Sequence, residues 1–206
     1  SLFDLVVAPG HDTLRGPNVI VTAGALHRVT PEKIASDMTA FPHLAQLPYP
    51  RAAVLIGGAS KTHRMTVKNA QTLAQQLKSA RASLMVTASR RTGEENARIL
   101  RDALQGENTF FWDGEGPNPY FAMLGYADYI IVTEDSVSMA SEAVSTGKPV
   151  YIVKLDGGSG KFDRFHAHLR AIGCTRIFDG HLEKWSYTPP DDMARVTAEI
   201  RRGLGL

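Results

Sequence analysis

Residues 128–155 hold the clearest pattern of apolar and polar positions in the chain. Tyr129 to Val132 is a short β-branched run, the pattern of a strand covered on both faces. Thr133, Glu134 and Asp135 interrupt it, and Asp135 or Ser136 supplies a helix N-cap. Helical spacing then places Val137, Ala140, Ala143 and Val144 on one face and Ser138, Ser141, Glu142 and Ser145 on the other. Gly147 suits the helix end, Pro149 prevents continuation, and Val150 to Val153 is a second apolar run. Strand, helix and strand in that order form a βαβ unit, which requires a parallel sheet covered by helices. The rhythm repeats upstream, with strands at 51–56, 83–87 and 109–112 and helices over 66–79, up to Leu104, and over 120–126. Downstream, Phe162, Phe165 and Leu169 share a helix face, 176–178 reads as an edge strand, and Asp191 opens a last helix burying Met193, Val196 and Ile200. The predicted class is α/β, a parallel sheet flanked by helices.

Residues 1–50 break the rhythm. The apolar runs 5–8 and 18–22 follow one another without a clear helix between them, as the last pieces of a preceding domain would. Thr30 and Pro31 start a short helix through Met38. Pro42, Pro48 and Pro50 mark a linker. The expected division is 1–50 as remnant and linker, and 51–206 as the main domain. A chain that opens on Ser1 with one domain and a fraction of another is expected to be a fragment. Its 206 residues suffice for one core of ordinary size. A hydrophobic share of 43% with 21% charged residues excludes a disordered chain. A net charge of +2 provides no strong field for nucleic acid or acidic membrane, so no nucleic-acid partner is expected. No apolar run approaches the ~20 residues of a membrane helix, so no integral membrane segment is expected. Cys174 stands alone, which rules out an intramolecular disulfide and suits a reducing, cytoplasmic location.

In a parallel sheet every strand delivers its carboxyl end to one edge, so the residues just past strands are the candidates for chemistry. After 51–56 come Gly57, Gly58, Ala59, Ser60 and Lys61. The glycines allow close backbone approach, and free amides with Ser60 and Lys61 would cradle a phosphate; the alternative is a tight turn with a solvated lysine. The turn is neither GxxxxGK nor GxGxxG, and no YxxxK pair is present, which sets aside P-loop and dehydrogenase or epimerase chemistry. Arg90 and Arg91 follow the next strand, as an anion clamp or as a surface pair. Past the loop 113–119, Asn118 can read a base edge, and Tyr120 either stacks on a base or is buried. Ser136 and Ser138 add hydroxyl donors at a helix start, and Glu142, one turn above Ser138, can accept from a ribose diol. Ordinary caps and a solvated carboxylate are the other reading of these three. Glu134 and Asp135 would repel a phosphate there unless Lys61, Arg64, Arg90 and Arg91 offset them or they turn away. His11 and Asp12 lie just past the run 5–8, as catalytic groups or as turn residues. Residues 156–161 read as a mobile flap. His166 and His168, two apart on a helix, diverge, and no metal site is expected.

Three segments carry a resemblance. GGASK at Gly57 to Lys61, TASRRTG at Thr87 to Gly93, and NPYFAMLGYADYIIVTEDSVSMASEAVSTGKPVYIV at Asn118 to Val153 resemble the mitochondrial-fission family named for elongated mitochondria. That family has many uncharacterised bacterial members. The last segment is also similar to the carboxy-terminal domain of GT-B glycosyltransferases, which include the lipid-linked N-acetylglucosaminyl transferase of peptidoglycan synthesis. The resemblance implies a Rossmann-like, nucleotide-sugar-binding domain over 51–206, the GT-B carboxy-terminal half, with a partial amino-terminal domain before it. It implies a nucleotide-diphosphate sugar as substrate, no cofactor, metal-independent transfer, and an acceptor it does not identify. Gly57, Gly58, Ser60, Lys61, Arg90, Arg91, Asn118, Ser136, Ser138 and Glu142 would hold the donor. The cations would stabilise charge on the departing diphosphate. The base would come from His11 or Asp12, and the missing amino-terminal domain would close the cleft. The plant relatives, associated with recruiting a dynamin-type GTPase to mitochondria, imply the alternative of a non-catalytic scaffold. On the enzyme reading Lys61, Arg90, Ser138 and Glu142 share one pocket.

Overall fold

The computed structural model describes residues 3–112 and 114–204; Ser1, and Asp113 of the 113–119 loop, lie outside them. β1 (Val6–Pro9) and β2 (Val19–Thr22) form a small parallel sheet joined by residues 10–18. The chain continues through α1 (Pro31–Ala40), β3 (Arg51–Ile56), β4 (His63–Arg64), α2 (Val67–Ser79), β5 (Ser83–Ala88), α3 (Glu94–Leu104) and β6 (Thr109–Trp112). It then runs through α4 (Tyr120–Tyr126), β7 (Tyr129–Thr133), α5 (Val137–Val144), β8 (Val150–Val153), β9 (Asp156–Gly157), α6 (Gly160–Ala171), β10 (Thr175–Ile177) and α7 (Asp192–Leu204).

Six strands form one sheet in the order β10-β8-β7-β3-β5-β6, and every pairing in it is parallel. All six residues of β3 are buried, because helices cover both faces. Ala52, Val54 and Ile56 pack with Leu73, Leu77 and Leu100 of α2 and α3. Ala53 and Leu55 point the other way, into a cluster with Met123, Ala140 and Phe165 of α4, α5 and α6. The predicted parallel sheet flanked by helices is therefore what the chain forms. From β3 the chain builds outward to β5 and β6, then returns to lay β7 on the other side of β3. The order reverses between β3 and β7, and the crevice above their carboxyl ends is the topological switch point where ligands settle in open α/β sheets.

The boundary expected at residue 50 is crossed by packing from both sides. α1 lies on α4, where the Tyr126 hydroxyl donates to Met38 O at 2.9 Å. α7 returns to β2, and Asp192 Oδ2 accepts from the amides of Ala23 at 2.7 Å and Gly24 at 3.2 Å. Val196 is buried on α7 as expected, whereas Met193 is exposed. The proline-rich linker is pinned by the buried Arg51, whose Nε donates to Leu47 O at 2.6 Å and whose guanidinium lies over the Tyr49 ring. The segment expected to be a mobile flap is also tied down. Asp156 and Gly157 pair antiparallel with Arg64 and His63, and Gly158 N donates to Thr62 O at 2.7 Å.

One partly buried cation makes stability depend on pH. Lys148 Nζ donates to Leu124 O and Gly125 O at the end of α4, at 2.6 Å each. Burial lowers its pKa from 10.5 to about 8, against the opposing charge of Asp128. A depressed lysine penalises the folded state fully below the folded pKa, and the penalty lifts as pH rises toward the unfolded value. Cys174 acts oppositely: burial pushes its thiol from 9.0 up to about 11, so the unfolded chain loses that proton first. From pH 8 to 9 the Lys148 gain exceeds the Cys174 loss, and the loss is common to any Lys148 variant. Urea denaturation over that range should show wild type gaining about 1 kcal/mol relative to Lys148→Met, while the Cys174 contribution takes a few tenths of a kcal/mol from both. Equal profiles for the two would remove Lys148 as the cause.

Candidate functional site

The turn after β3 and the start of α5 meet at the switch point, and they bond to each other. Gly57 N donates to Thr133 Oγ1 at 2.7 Å, and Gly58 N to Asp135 Oδ2 at 3.0 Å. Ala59 N donates to Arg91 O at 2.8 Å and Ser60 N to His63 O at 2.9 Å. Gly57 O accepts from Ser89 Oγ at 2.7 Å and from the Thr92 hydroxyl. The Ser60 hydroxyl caps the amides of Thr62 and His63. The free amides expected at this turn are thus engaged within the protein. Asp135 is the physical reason: its side chain is 0% exposed, and Arg91 Nη1 pairs with it at 2.8 Å. Glu134 turns away as well, taking Lys154 Nζ at 2.6 Å and Leu155 N at 2.7 Å. Glu134 through both oxygens and Asp135 through Oδ2 therefore face protein donors, while Asp135 Oδ1 is buried without one.

The sequence-selected residues separate into groups around this crevice. Arg91 is held by Asp135, while Arg90 is exposed and lines a cavity with Ser89, Arg98, Arg101 and Trp112. Lys61 is exposed. A second cavity, of about 670 Å³, gathers Asn118, Tyr120, Met139 and Glu142 with Arg28 and the Lys33–Asp37 ion pair. Lys61 and Ser138 line neither cavity, so the four residues expected in one pocket are distributed. Around Glu142 the geometry is specific. The Tyr120 hydroxyl donates to Glu142 Oε2, and burial with the adjacent carboxylate pushes that phenol's pKa well up. Asn118 Oδ1 accepts from Tyr120 N at 3.0 Å, which leaves the amide NH2 as a donor. Ser136 caps α5 by accepting from Met139 N at 3.3 Å, and Ser138 is exposed on the first turn.

Residues 1–204 match the family described as Mitochondrial fission ELM1. The mitochondrial fission protein ELM1 of Arabidopsis thaliana is 35% identical over 234 aligned positions, covering 98% of this chain and 55% of that protein. The chain belongs to the mitochondrial fission ELM1 family. The uncharacterized protein RP120 of Rickettsia prowazekii (strain Madrid E) is 32% identical over 208 positions, covering 94% of this chain and 58% of that one. The chain thus spans a little over half the length of these relatives. Among solved structures it is similar to MurG of Acinetobacter baumannii, at 16% identity and a TM-score of 0.49, over 98% of this chain and 54% of MurG. It is also similar to Medicago truncatula UGT71G1 complexed with UDP-glucose, at 12% identity and a TM-score of 0.49, over 91% of this chain and 40% of that one.

In this ELM1-family chain the pair His11 and Asp12 faces α6. His11 is 6% exposed, and its ring meets Phe165 edge-on at 5.0 Å between centroids. Burial lowers the imidazole pKa, Asp12 opposes that, and Lys161 and Arg164 reinforce it, so the ring is neutral at pH 7. Asp12 itself pairs with Lys161. His166 is buried with Nε2 2.8 Å from Glu134 O, while His168 is exposed, so the two diverge as their spacing requires. Among the described residues no group of three His, Cys, Asp or Glu side chains could hold a metal ion, and no helix is long and apolar enough to cross a membrane. Sequence reasoning assigned no role to His27 and Arg28. Arg28 lines the Glu142 cavity, and the Glu142 charge opposes the burial that lowers the His27 pKa. Both arrive from the amino-terminal unit, and no local pattern marks them. Ser141, read as part of the polar face, is buried and accepts from Ala25 N at 2.9 Å.

Proposed function

We propose that this ELM1-family chain is the donor half of a GT-B-like, metal-independent glycosyltransferase and binds a nucleotide-diphosphate sugar at Glu142. The observation that supports this reading is the Tyr120–Glu142 pair beside Asn118 and Arg28 in one cavity. A partly buried phenol fixes one oxygen of the carboxylate, and the other has no protein donor among the described residues. A ribose diol, with two O–H donors, matches such an acceptor. The Asn118 NH2 suits an acceptor on a base edge, and Arg28 suits a phosphate. Arg90 and Lys61 lie outside that cavity, so Arg28 is the cation this reading assigns to the departing diphosphate. His11, neutral at pH 7, would serve as base toward an acceptor whose identity stays open, and an amino-terminal domain would close the cleft. The buried lone cysteine agrees with a cytoplasmic location.

Calorimetry with uridine and guanosine diphosphates tests the reading by binding rather than turnover. Wild type should bind at least one, and Glu142→Ala should bind it about tenfold to hundredfold more weakly, the loss of a charge-assisted hydrogen bond. Silence from folded wild type across the panel would overturn it. That silence would favour the second reading, a non-catalytic scaffold that keeps the fold without turnover. One observation speaks for the scaffold: the switch-point crevice is filled by Asp135, Arg91 and the amides of the Gly57 turn. A scaffold should keep its partner through both Glu142→Ala and Arg90→Ala.

A further inference from the structure

A third cavity, of about 470 Å³, lies between the amino-terminal unit and the helices α6 and α7. Its volume is in the range of small-ligand sites. Three guanidinium groups line it, from Arg15, Arg164 and Arg195, together with His11 and His168. The one carboxylate in the lining, Asp192, is fully engaged: Oδ2 holds the Ala23 and Gly24 amides and Oδ1 takes Arg195 Nη2 at 2.9 Å. Arg195 is further balanced by Glu199 at 3.2 Å.

Arg15 and Arg164 differ from Arg195. Neither pairs with a carboxylate among the described residues; both are held by carbonyl oxygens. Arg164 Nη2 donates to His11 O at 3.0 Å, and Arg15 Nη1 donates to Leu14 O at 2.7 Å. A carbonyl orients a guanidinium without neutralising it, and each fork keeps further N–H donors. Two uncompensated cations on one concave wall repel each other until an anion joins them. His11 forms the buried side of the cavity. It is more than nine-tenths buried, it lines the same cavity, and its Nδ1 has no hydrogen-bond partner. His27 and His166 each have the same unpartnered Nδ1 elsewhere in the fold, so the two guanidinium groups, not this nitrogen, mark the site.

We infer that this cavity is an anion site for a phosphate or diphosphate group, held by Arg15 and Arg164 with His11 and His168 at its wall. The match is of charge and shape: two guanidinium forks take several oxygens of a doubly charged tetrahedral group, where a carboxylate offers two oxygens and one charge. The lining shares no residue with the Glu142 cavity, and His11, the base of the proposed transfer, is the one residue common to both readings.

Calorimetry of the whole chain with inorganic phosphate and with pyrophosphate, at matched ionic strength, tests the inference. Wild type should bind at least one of them saturably, and acetate should not compete. Tighter pyrophosphate than phosphate assigns the site to a diphosphate; equal affinities assign it to a single phosphate. Arg164→Gln and Arg15→Gln should each weaken binding at least tenfold, while Lys68→Gln, which removes one charge on α2, should leave it unchanged. Arg15 is on an exposed loop, so its variant keeps the test decisive if Arg164→Gln lowers the fold's stability. Absence of saturable binding by wild type, or equal loss in Lys68→Gln and the two arginine variants, would overturn the inference.

Discussion

Gly58→Ala should destabilise the protein by about 3–5 kcal/mol, a large part of the ~5–15 kcal/mol that holds a typical domain together. Gly58 has φ +141, a conformation open almost only to glycine, and side-chain-bearing residues pay about 1–3 kcal/mol to adopt it. Space is the stronger objection. A Cβ at Gly58 would lie 2.1 Å from Arg91 O, 2.3 Å from Arg91 C and 2.5 Å from Thr92 N. All three are backbone atoms, so no rotamer change relieves the overlap. The turn would have to separate from the segment after β5, breaking Ala59 N to Arg91 O and pulling Gly58 N from Asp135. Gly57 makes a useful contrast. Its added Cβ would meet the Asp135 carboxylate at 2.3 Å, side chain rather than backbone, so Gly57→Ala should cost less, about 2–3 kcal/mol, the cost of displacing Asp135 from Gly58 N. Urea denaturation of both variants gives the comparison. A Gly58→Ala protein within about 1 kcal/mol of wild type would mean that the two loops are not packed as described.

These two glycines also show where reading the sequence succeeds and where it stops. The sheet was legible because parallel strands covered on both faces must be apolar throughout, as Arg51–Ile56 after its first residue and Val150–Val153 are. The meeting of loops over one sheet edge followed from topology, since every parallel strand ends there. What was not legible is which donor meets which acceptor. A GGASK turn displays amides on paper, but Asp135 lies far along the chain from Gly58, and only the return of the chain to place β7 beside β3 brings them together. The same holds for residues 156–161. Their glycines suggest motion, while pairing with His63 and Arg64 restrains them, and a two-residue strand leaves no periodicity to read. Arg28 reaches the Glu142 cavity through packing of α1 on α4, again a tertiary fact without a local pattern.

Asp135→Ala should be the second most damaging change, and part of its effect should be reversible by a small anion. The Asp135 carboxylate sits where open α/β sheets bind external anions, and it is held as a bound anion would be, by a loop amide and a guanidinium. The protein therefore places its own anion at the switch point. Removing it leaves the Gly58 N–H buried without an acceptor, at about 1–3 kcal/mol. It also strips Arg91 of its partner, which matters less because Arg91 is 44% exposed and water can solvate it. The total, about 2–4 kcal/mol, stays below the ~3–5 kcal/mol of a fully buried broken pair for that reason. Asp135→Asn should cost less, since its amide oxygen can still accept from Gly58. Formate or acetate can enter the space left by alanine, so either should raise the Tm of Asp135→Ala by more than that of wild type or Asp135→Asn. Parallel shifts in all three proteins would show that the crevice is no anion site, filled or vacant. A selective rescue, by contrast, would connect the two functional readings. The crevice would then be a phosphate-binding geometry closed by one carboxylate, and Asp135→Ala should bind nucleoside diphosphates more tightly than wild type does.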